Sequence, residues 1–211
     1  LKFHSRVAGV DVKQWTNCRF GMIAWQLFII IFAIYSYNTL GFNIAMFVTT
    51  ILQTIYIAKF FFWETGYFNT LDITLDRAGY YICWGCIVFV PAFYTFVSYY
   101  LANNPSNIPL VTGIIILLIG LAFIGLNYQV DAEKEEFKAD NNVKIWGKPA
   151  EYVEVKYEKD GEEKDGKLLT SGWWGVSRHM NYTFEIGLSA CWCAVGYPLG
   201  IAPFAYLGYI I

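Results

Sequence analysis

Two lysines give this chain its first candidate for binding chemistry. Lys134 and Lys138 are four residues apart within a run of helix-forming residues, so both ammonium groups project from one face of a helix. Two cations at that spacing can hold the phosphates of an anionic cofactor. The glutamates beside them are also typical of an ordinary solvated helix, so the pair alone leaves both interpretations open.

The segment of residues 168–182, LLTSGWWGVSRHMNY, is more selective. Its residues with binding chemistry are Trp173, Trp174, Arg178, Asn181 and Tyr182. The indole rings can stack on another ring, the guanidinium can fork onto a phosphate, and the amide and hydroxyl can form hydrogen bonds. Gly172 and Gly175 allow close backbone approach. An aromatic belt at a membrane interface with an arginine anchor is the competing interpretation, and we interpret His179 as an oriented structural group.

Acidic residues concentrate in a short polar insert, residues 63–77 (WETGYFNTLDITLDR). Glu64, Asp72 and Asp76 lie close to apolar stretches, where a charge is costly unless it faces a cavity or a partner. These three carboxyl groups and the hydroxyl of Tyr67 are the candidates for a proton donor. A solvated connecting loop is the alternative.

The elements that must position these residues are membrane helices. Hydrophobic residues make up 56% of the 211 positions and aromatic residues 19%, which is too apolar for an ordinary soluble domain. Stretches of about 17 to 25 apolar residues are long enough to cross a bilayer, and the candidates are residues 21–37, 42–62, 79–101, 108–127 and 186–211. We therefore predict an all-α polytopic membrane protein with about five transmembrane helices in a fragment of a longer chain.

The basic residues predict the orientation of these helices. All 15 Lys and Arg fall on one side of the proposed topology, which the positive-inside rule makes cytoplasmic. We predict that residues 128–178 form a small cytoplasmic insert within a single membrane domain, residues 1–211, which we expect to be truncated at both ends. In this insert, residues 131–139 continue the fourth span as helix, residues 152–157 form a strand, Asp160-Gly161 a turn and residues 167–170 a second strand.

Neither a metal site nor a nucleic-acid site is predicted. Cys83-x-x-Cys86 has no second cysteine pair at zinc spacing, so we expect free thiols and no metal. The chain also has no basic region of the kind that binds nucleic acid.

Four sequence blocks together resemble the sterol reductase family, most closely its plant-type 7-dehydrocholesterol (delta-7) reductase branch. They are residues 16–21 (TNCRFG), 61–72 (FFWETGYFNTLD), 76–91 (DRAGYYICWGCIVFVP) and 168–182, with 145–147 (IWG) as a short fifth block. The blocks cover nearly the whole chain and keep the family's order and approximate spacing.

The resemblance implies NADPH-dependent reduction of a ring double bond, here delta-7, of a sterol that enters from the lipid phase of the endoplasmic reticulum membrane. It places six residues at cofactor contacts: Lys134, Lys138, Leu169, Trp174, Asn181 and Tyr182. The alternatives within the same fold are a delta-14 or delta-24(28) reductase and a non-catalytic sterol-binding or scaffold protein. Neither the oligomeric state nor protein partners follow from the sequence.

Three departures from the family's pattern accompany this likeness. Leu75 stands where relatives generally have His, which removes a titratable group near the expected sterol pocket. Glu185 replaces a common Asp. The family's C-terminal block, which supplies further cofactor contacts, does not occur in the chain. The six residues at cofactor contacts therefore form only part of the expected cofactor site.

Overall fold

The computed structural model describes residues 6–67, 79–159 and 162–211, and they are mostly helical. The chain divides into two compact units, Leu1–Leu121 with Ile186–Ile211, and Ala122–Glu185. Besides its helices, the first unit contains a small hairpin, β1 (Arg6–Val7) and β2 (Val10–Asp11). The second unit combines helix with two further antiparallel hairpins.

Four helices within the described residues are long and apolar enough to cross a bilayer. They are Gln14–Leu40, Ile44–Phe62, Gly85–Asn103 and Leu110–Ala139. These helices coincide with the first four predicted spans and confirm the prediction of a helical multi-pass membrane protein. Large apolar side chains such as Ile31, Ile34 and Leu118 are exposed, as expected of helix surfaces that face lipid.

The first two spans are connected by a tight turn. They comprise α1 (Met22–Leu40), which follows a π-helical segment Gln14–Gly21, and α2 (Ile44–Phe62). Gly41, with φ of 77°, ends α1 in a conformation that favours glycine. Asn43 caps α2, because its side-chain oxygen accepts a hydrogen bond from the Met46 amide at 3.1 Å.

The third span is interrupted at its centre. A short α3 (Glu64–Tyr67) follows α2, and the span itself comprises α4 (Tyr80–Trp84), a π-helical segment Gly85–Tyr94 and α5 (Phe96–Asn103). Pro91 has no amide hydrogen and so removes one helical hydrogen bond. Its own carbonyl accepts a bond from the Thr95 hydroxyl at 2.6 Å, at the junction between the π-helical segment and α5.

A buried polar network connects the helices of the first unit. Gln53, which is fully buried, accepts a bond from the Trp25 indole at 2.8 Å and donates to Thr49 and Ser98 at 3.0 and 3.1 Å. The Thr49 hydroxyl donates to the Trp192 carbonyl at 3.1 Å. Polar side chains inside a membrane bundle are stable when they pair in this way.

The helix α6 (Leu110–Ala139) is longer than the bilayer requires. Its 30 residues extend about 45 Å at 1.5 Å each, whereas a hydrocarbon core is about 30 Å thick. The apolar residues 110–127 are about as long as this core, and the helix continues past them through residues 128–139, which carry the charges. The helical structure predicted for residues 131–139 is confirmed.

Two hairpins follow α6 in the second unit. β3 (Lys144–Ile145) pairs with β4 (Lys148–Pro149), and β5 (Tyr152–Lys159) pairs with β6 (Glu162–Leu169). The strand predicted at residues 152–157 is confirmed, but β6 begins five residues before the predicted 167–170. Oppositely charged cross-strand neighbours, Lys156 with Asp165 and Glu154 with Lys167, favour this longer pairing although the strand is polar. The predicted turn at 160–161 lies outside the described residues.

The fifth apolar stretch, residues 186–211, does not form one long helix, contrary to the prediction of a single span. The short helix α7 (Trp173–Val176) precedes α8 (Met180–Ala194), which ends well before the end of the apolar stretch. Two 3₁₀ turns and the short α9 (Ala205–Ile210) follow it. Pro198 and Pro203 lie in those turns, and Gly200 has φ of 88°. Gly196 packs so closely that a Cβ there would meet Pro203 Cγ at 2.5 Å. Proline and glycine thus end the helix although hydropathy permits it.

Candidate functional site

Glu133 organises the charged end of α6. Its side chain is buried, and its two oxygens accept from different donors: Oε1 from the Trp146 indole at 2.8 Å and Oε2 from the Trp173 amide at 2.9 Å. Burial raises the pKa of this carboxyl, and the two hydrogen bonds oppose that rise. The arrangement satisfies an acidic group that is otherwise costly to bury.

The hairpin β3–β4 brings Trp146 to this carboxylate. Trp146 and Gly147 occupy its turn with φ of 51° and 79°. A positive φ costs a non-glycine residue about 1 kcal/mol or more, whereas a hydrogen bond to a charged group contributes about 1.5 to 3 kcal/mol. The bond to Glu133 therefore offsets the strained backbone of Trp146.

Two glycines allow the Trp-rich segment to approach its surroundings closely, as predicted. Gly172 has φ of 61°, and a Cβ there would meet Glu133 Oε2 and Ile145 Cγ2 at 2.5 Å each. A Cβ on Gly175 would meet the Thr170 carbonyl oxygen at 2.5 Å. The backbone at these positions admits no side chain without a shift of its neighbours.

Trp174 lies directly against α6. Its indole nitrogen donates to the Val130 carbonyl at 2.9 Å, and the Lys134 ammonium lies 4.3 Å from the centre of its ring. Partial burial lowers the pKa of Lys134, the like charge of Lys138 adds to that effect, and Asp131 opposes it. Lys138 is exposed on the next turn of the same helix. The structure thus places the Lys134 ammonium against the Trp174 ring, with Lys138 one helical turn further along.

Asn181 and Tyr182 lie on the first turn of α8. The Asn127 side-chain amide donates to the Asn181 carbonyl at 2.8 Å, which attaches this turn to α6. The Tyr182 ring is about half exposed and lies parallel to the His179 ring, with centroids 5.3 Å apart. Arg178 Nε donates to His179 Nε2 at 3.3 Å. His179 therefore contacts two neighbours, as expected of an oriented structural group.

Leu169, the last residue of β6, is half-buried opposite Tyr152. The Tyr152 ring packs against Phe137, at 5.5 Å between centroids, so the hairpin contacts the same helical turn that carries Lys134 and Lys138.

Trp173 connects its segment to α8, since its ring meets Phe184 edge-on at 5.0 Å. The six residues predicted to contact a cofactor therefore lie on α6 or on segments that contact α6, and the Lys134 ammonium lies against the Trp174 ring.

Sequence reasoning missed Glu133 as part of this assembly and treated it as one of several solvated acids. A signal was available in the helical spacing, because residues 130, 133 and 137 share one face of α6. Val130, Glu133 and Phe137 are all buried, whereas Glu135 and Glu136 are exposed. An acid on an otherwise apolar helical stripe indicates a buried carboxylate that accepts hydrogen bonds from other segments.

Of the four proton-donor candidates, Glu64 and Tyr67 lie within the described residues, whereas Asp72 and Asp76 lie outside them. Glu64 forms an ion pair with Arg19 at 2.9 Å and accepts from Gln14 at 3.3 Å. These two contacts connect Glu64 to the π-helical segment Gln14–Gly21. The Tyr67 hydroxyl accepts a hydrogen bond from the Asn17 amide.

Comparison with known proteins adds an independent observation. The profile of the ergosterol biosynthesis ERG4/ERG24 family matches residues 2–211. A 7-dehydrocholesterol reductase of Arabidopsis thaliana is 44% identical over 185 residues, which cover 86% of this chain and 43% of that protein. A 7-dehydrocholesterol reductase of Xenopus laevis is 34% identical over 215 residues, covering 100% and 45%.

Relatives with a different name also match. A Delta(14)-sterol reductase of Methylotuvimicrobium alcaliphilum is 32% identical over 208 residues, which cover 97% of this chain and 46% of that protein. The chain spans less than half the length of these relatives. The chain is thus similar to relatives of both names.

Proposed function

Because the chain belongs to the ergosterol biosynthesis ERG4/ERG24 family, we propose that the protein reduces a ring double bond of a sterol with NADPH. Delta-7 is the favoured position, since identity reaches 44% with a relative named 7-dehydrocholesterol reductase and 32% with one named Delta(14)-sterol reductase. The latter similarity keeps a delta-14 reductase as the second candidate.

The contact between Lys134 and Trp174, with Lys138 one turn away, is the observation that carries this proposal. Two ammonium groups suit the phosphates of a dinucleotide, and the indole offers a ring face beside them. The buried indole nitrogen of Trp173 has no hydrogen-bond partner among the described residues, so it is a donor that an oxygen-rich ligand can satisfy. The residues present therefore fit NADPH.

In this function, each group of the site has a defined task. NADPH supplies a hydride when bound. Lys134 and Lys138 hold phosphate, while Leu169, Trp174, Asn181 and Tyr182 orient the rest of the cofactor. Reduction of an alkene also needs a proton at the neighbouring carbon, for which Glu64, Tyr67, Asp72 and Asp76 stay candidates. We further propose that residues 128–178 face the cytoplasm and that the sterol enters from the lipid phase of the endoplasmic reticulum membrane.

A sterol profile tests the proposed reaction. We expect the full-length protein, expressed in cells whose own delta-7 reductase is deleted, to remove most of the accumulated delta-5,7-dienes, as measured by mass spectrometry. The matched control is the Lys134→Ala, Lys138→Ala double variant at equal membrane abundance. It should convert the dienes at least about tenfold more slowly at limiting NADPH, because each charged hydrogen bond to phosphate contributes about 1.5 kcal/mol or more.

The other outcomes separate the alternatives. Loss of delta-14 sterols instead of delta-5,7-dienes would move the assignment to the second candidate. Sterol binding with no change in either pool would support a non-catalytic role in the membrane and would contradict the proposal.

A further inference from the structure

A buried acid lies beside a site suited to phosphate, where its negative charge is unfavourable for phosphate binding. Glu133 directly precedes Lys134 in the chain, and its carboxylate accepts two N–H donors. A negative charge close to the lysines repels phosphate. If charge were its only effect, this acid would weaken the binding of a dinucleotide.

The contacts of Glu133 indicate a different effect. One oxygen accepts the amide of Trp173, the residue before Trp174, and the Trp174 ring in turn contacts Lys134 at 4.3 Å. The other oxygen accepts the indole of Trp146, whose ring meets the Trp173 ring edge-on at 5.2 Å. One carboxylate therefore connects the lysine-bearing helix, the turn of β3–β4 and the start of α7.

Gly172 shows how closely the segment is held against this carboxylate. A Cβ at that position would lie 2.5 Å from Glu133 Oε2, so the carboxylate occupies the space where any other residue would place its side chain. The amide of the next residue, Trp173, donates to the same oxygen at 2.9 Å.

We infer that Glu133 is a positioning residue for the dinucleotide, which strengthens binding by holding Trp174 against Lys134 despite its own negative charge. This inference rests on the proposed NADPH site. It acts through the indole and the lysine, since Glu133 itself is buried and its two oxygens are already engaged.

Glu133→Gln separates the two effects because they have opposite signs. Glutamine keeps the size of the side chain and removes the charge, so repulsion alone predicts tighter NADPH binding. Its amide, however, offers only one carbonyl oxygen for two donors, and its NH₂ group then faces an N–H. Positioning therefore predicts weaker binding.

The measurement is NADPH binding to the full-length protein in detergent, followed by energy transfer from tryptophan to the nicotinamide. We expect Glu133→Gln to raise the Kd about tenfold, as for loss of a charged hydrogen bond, and to raise the KM for NADPH more than it lowers kcat. The matched control is Glu136→Gln, which removes the same charge from an exposed position on the same helix. It should leave the Kd unchanged or lower it.

A second variant tests the hydrogen bonds themselves. Trp146→Phe removes one donor and leaves the bond to Trp173 intact, so the Kd should rise about threefold. In the Glu133→Gln, Trp146→Phe double variant, the glutamine carbonyl can accept the Trp173 amide with no donor opposite its NH₂ group. It should therefore bind NADPH more tightly than Glu133→Gln alone.

Each result has a defined meaning. Wild-type affinity or tighter binding in Glu133→Gln overturns the positioning role, as does a double variant no better than the single one. If Glu133→Gln does not fold, Trp146→Phe decides the matter, and a wild-type Kd in that variant contradicts the inference. A wild-type protein that binds no NADPH overturns the proposed function as well.

Discussion

Trp174→Ala is expected to raise the Kd for NADPH about 30-fold, which corresponds to about 2 kcal/mol and is typical of a central aromatic contact. The change removes the ring that faces the Lys134 ammonium at 4.3 Å and the indole bond to the Val130 carbonyl. That carbonyl lies within α6 and keeps a backbone donor, so the helix should survive. Titration with NADPH and single-turnover reduction of 7-dehydrocholesterol would measure the two consequences.

Trp174→Phe is the matched control for this variant. Phenylalanine keeps a ring for Lys134 and loses only the indole hydrogen bond, so we expect about a threefold rise in Kd. Asn181→Ala adds a comparison at the neighbouring helix, because the Asn181 carbonyl that Asn127 contacts is retained. Unchanged affinity and turnover in both Trp174→Ala and Asn181→Ala would remove these residues from the site.

Gly172→Ala is expected to destabilise the second unit by about 3 kcal/mol and to abolish measurable NADPH binding. The estimate combines about 1 kcal/mol for a positive φ in alanine with about 2 kcal/mol for the displaced bond between Glu133 and the Trp173 amide. The new methyl group would meet Glu133 Oε2 at 2.5 Å, so one of the two must move. Denaturant unfolding in detergent, followed by tryptophan fluorescence, measures the loss.

Gly147→Ala is the control that isolates the backbone contribution. Gly147 also has a positive φ, of 79°, but a Cβ there would meet nothing within 4 Å. Its replacement should cost only about 1 kcal/mol and leave NADPH binding measurable. Equal effects of the two substitutions would show that the close approach at Gly172 contributes nothing beyond strain.

The predicted helices show which features follow from local sequence. Apolar runs predicted the four long helices, because burying a backbone in lipid requires internal hydrogen bonds over a length set by the bilayer. The stretch 186–211 is also apolar, but it does not form one long helix. Pro198, Gly200 and Pro203 end the helix in that stretch, and a hydropathy window gives such residues too little weight.

The site shows a similar division. The spacing of Lys134 and Lys138 placed them on one helical face, since four residues make about one turn. The contact of Lys134 with Trp174, 40 residues further along the chain, needed the intervening hairpins to fold back on α6. From residue types alone, a ligand site and an aromatic belt at the membrane interface were equally good interpretations of the two tryptophans.

By itself, the sequence determined the membrane-spanning helices, the face shared by the two lysines and the need for glycine in the Trp-rich segment. Those properties depend on periodicity and on backbone freedom, which are local. Only the tertiary structure decided that Glu133 is internal while Glu135 and Glu136 are exposed, and that Trp146 and Trp173 meet at its two oxygens. Burial of one acid among several depends on which helical face the rest of the chain covers, and that is settled by packing between distant segments.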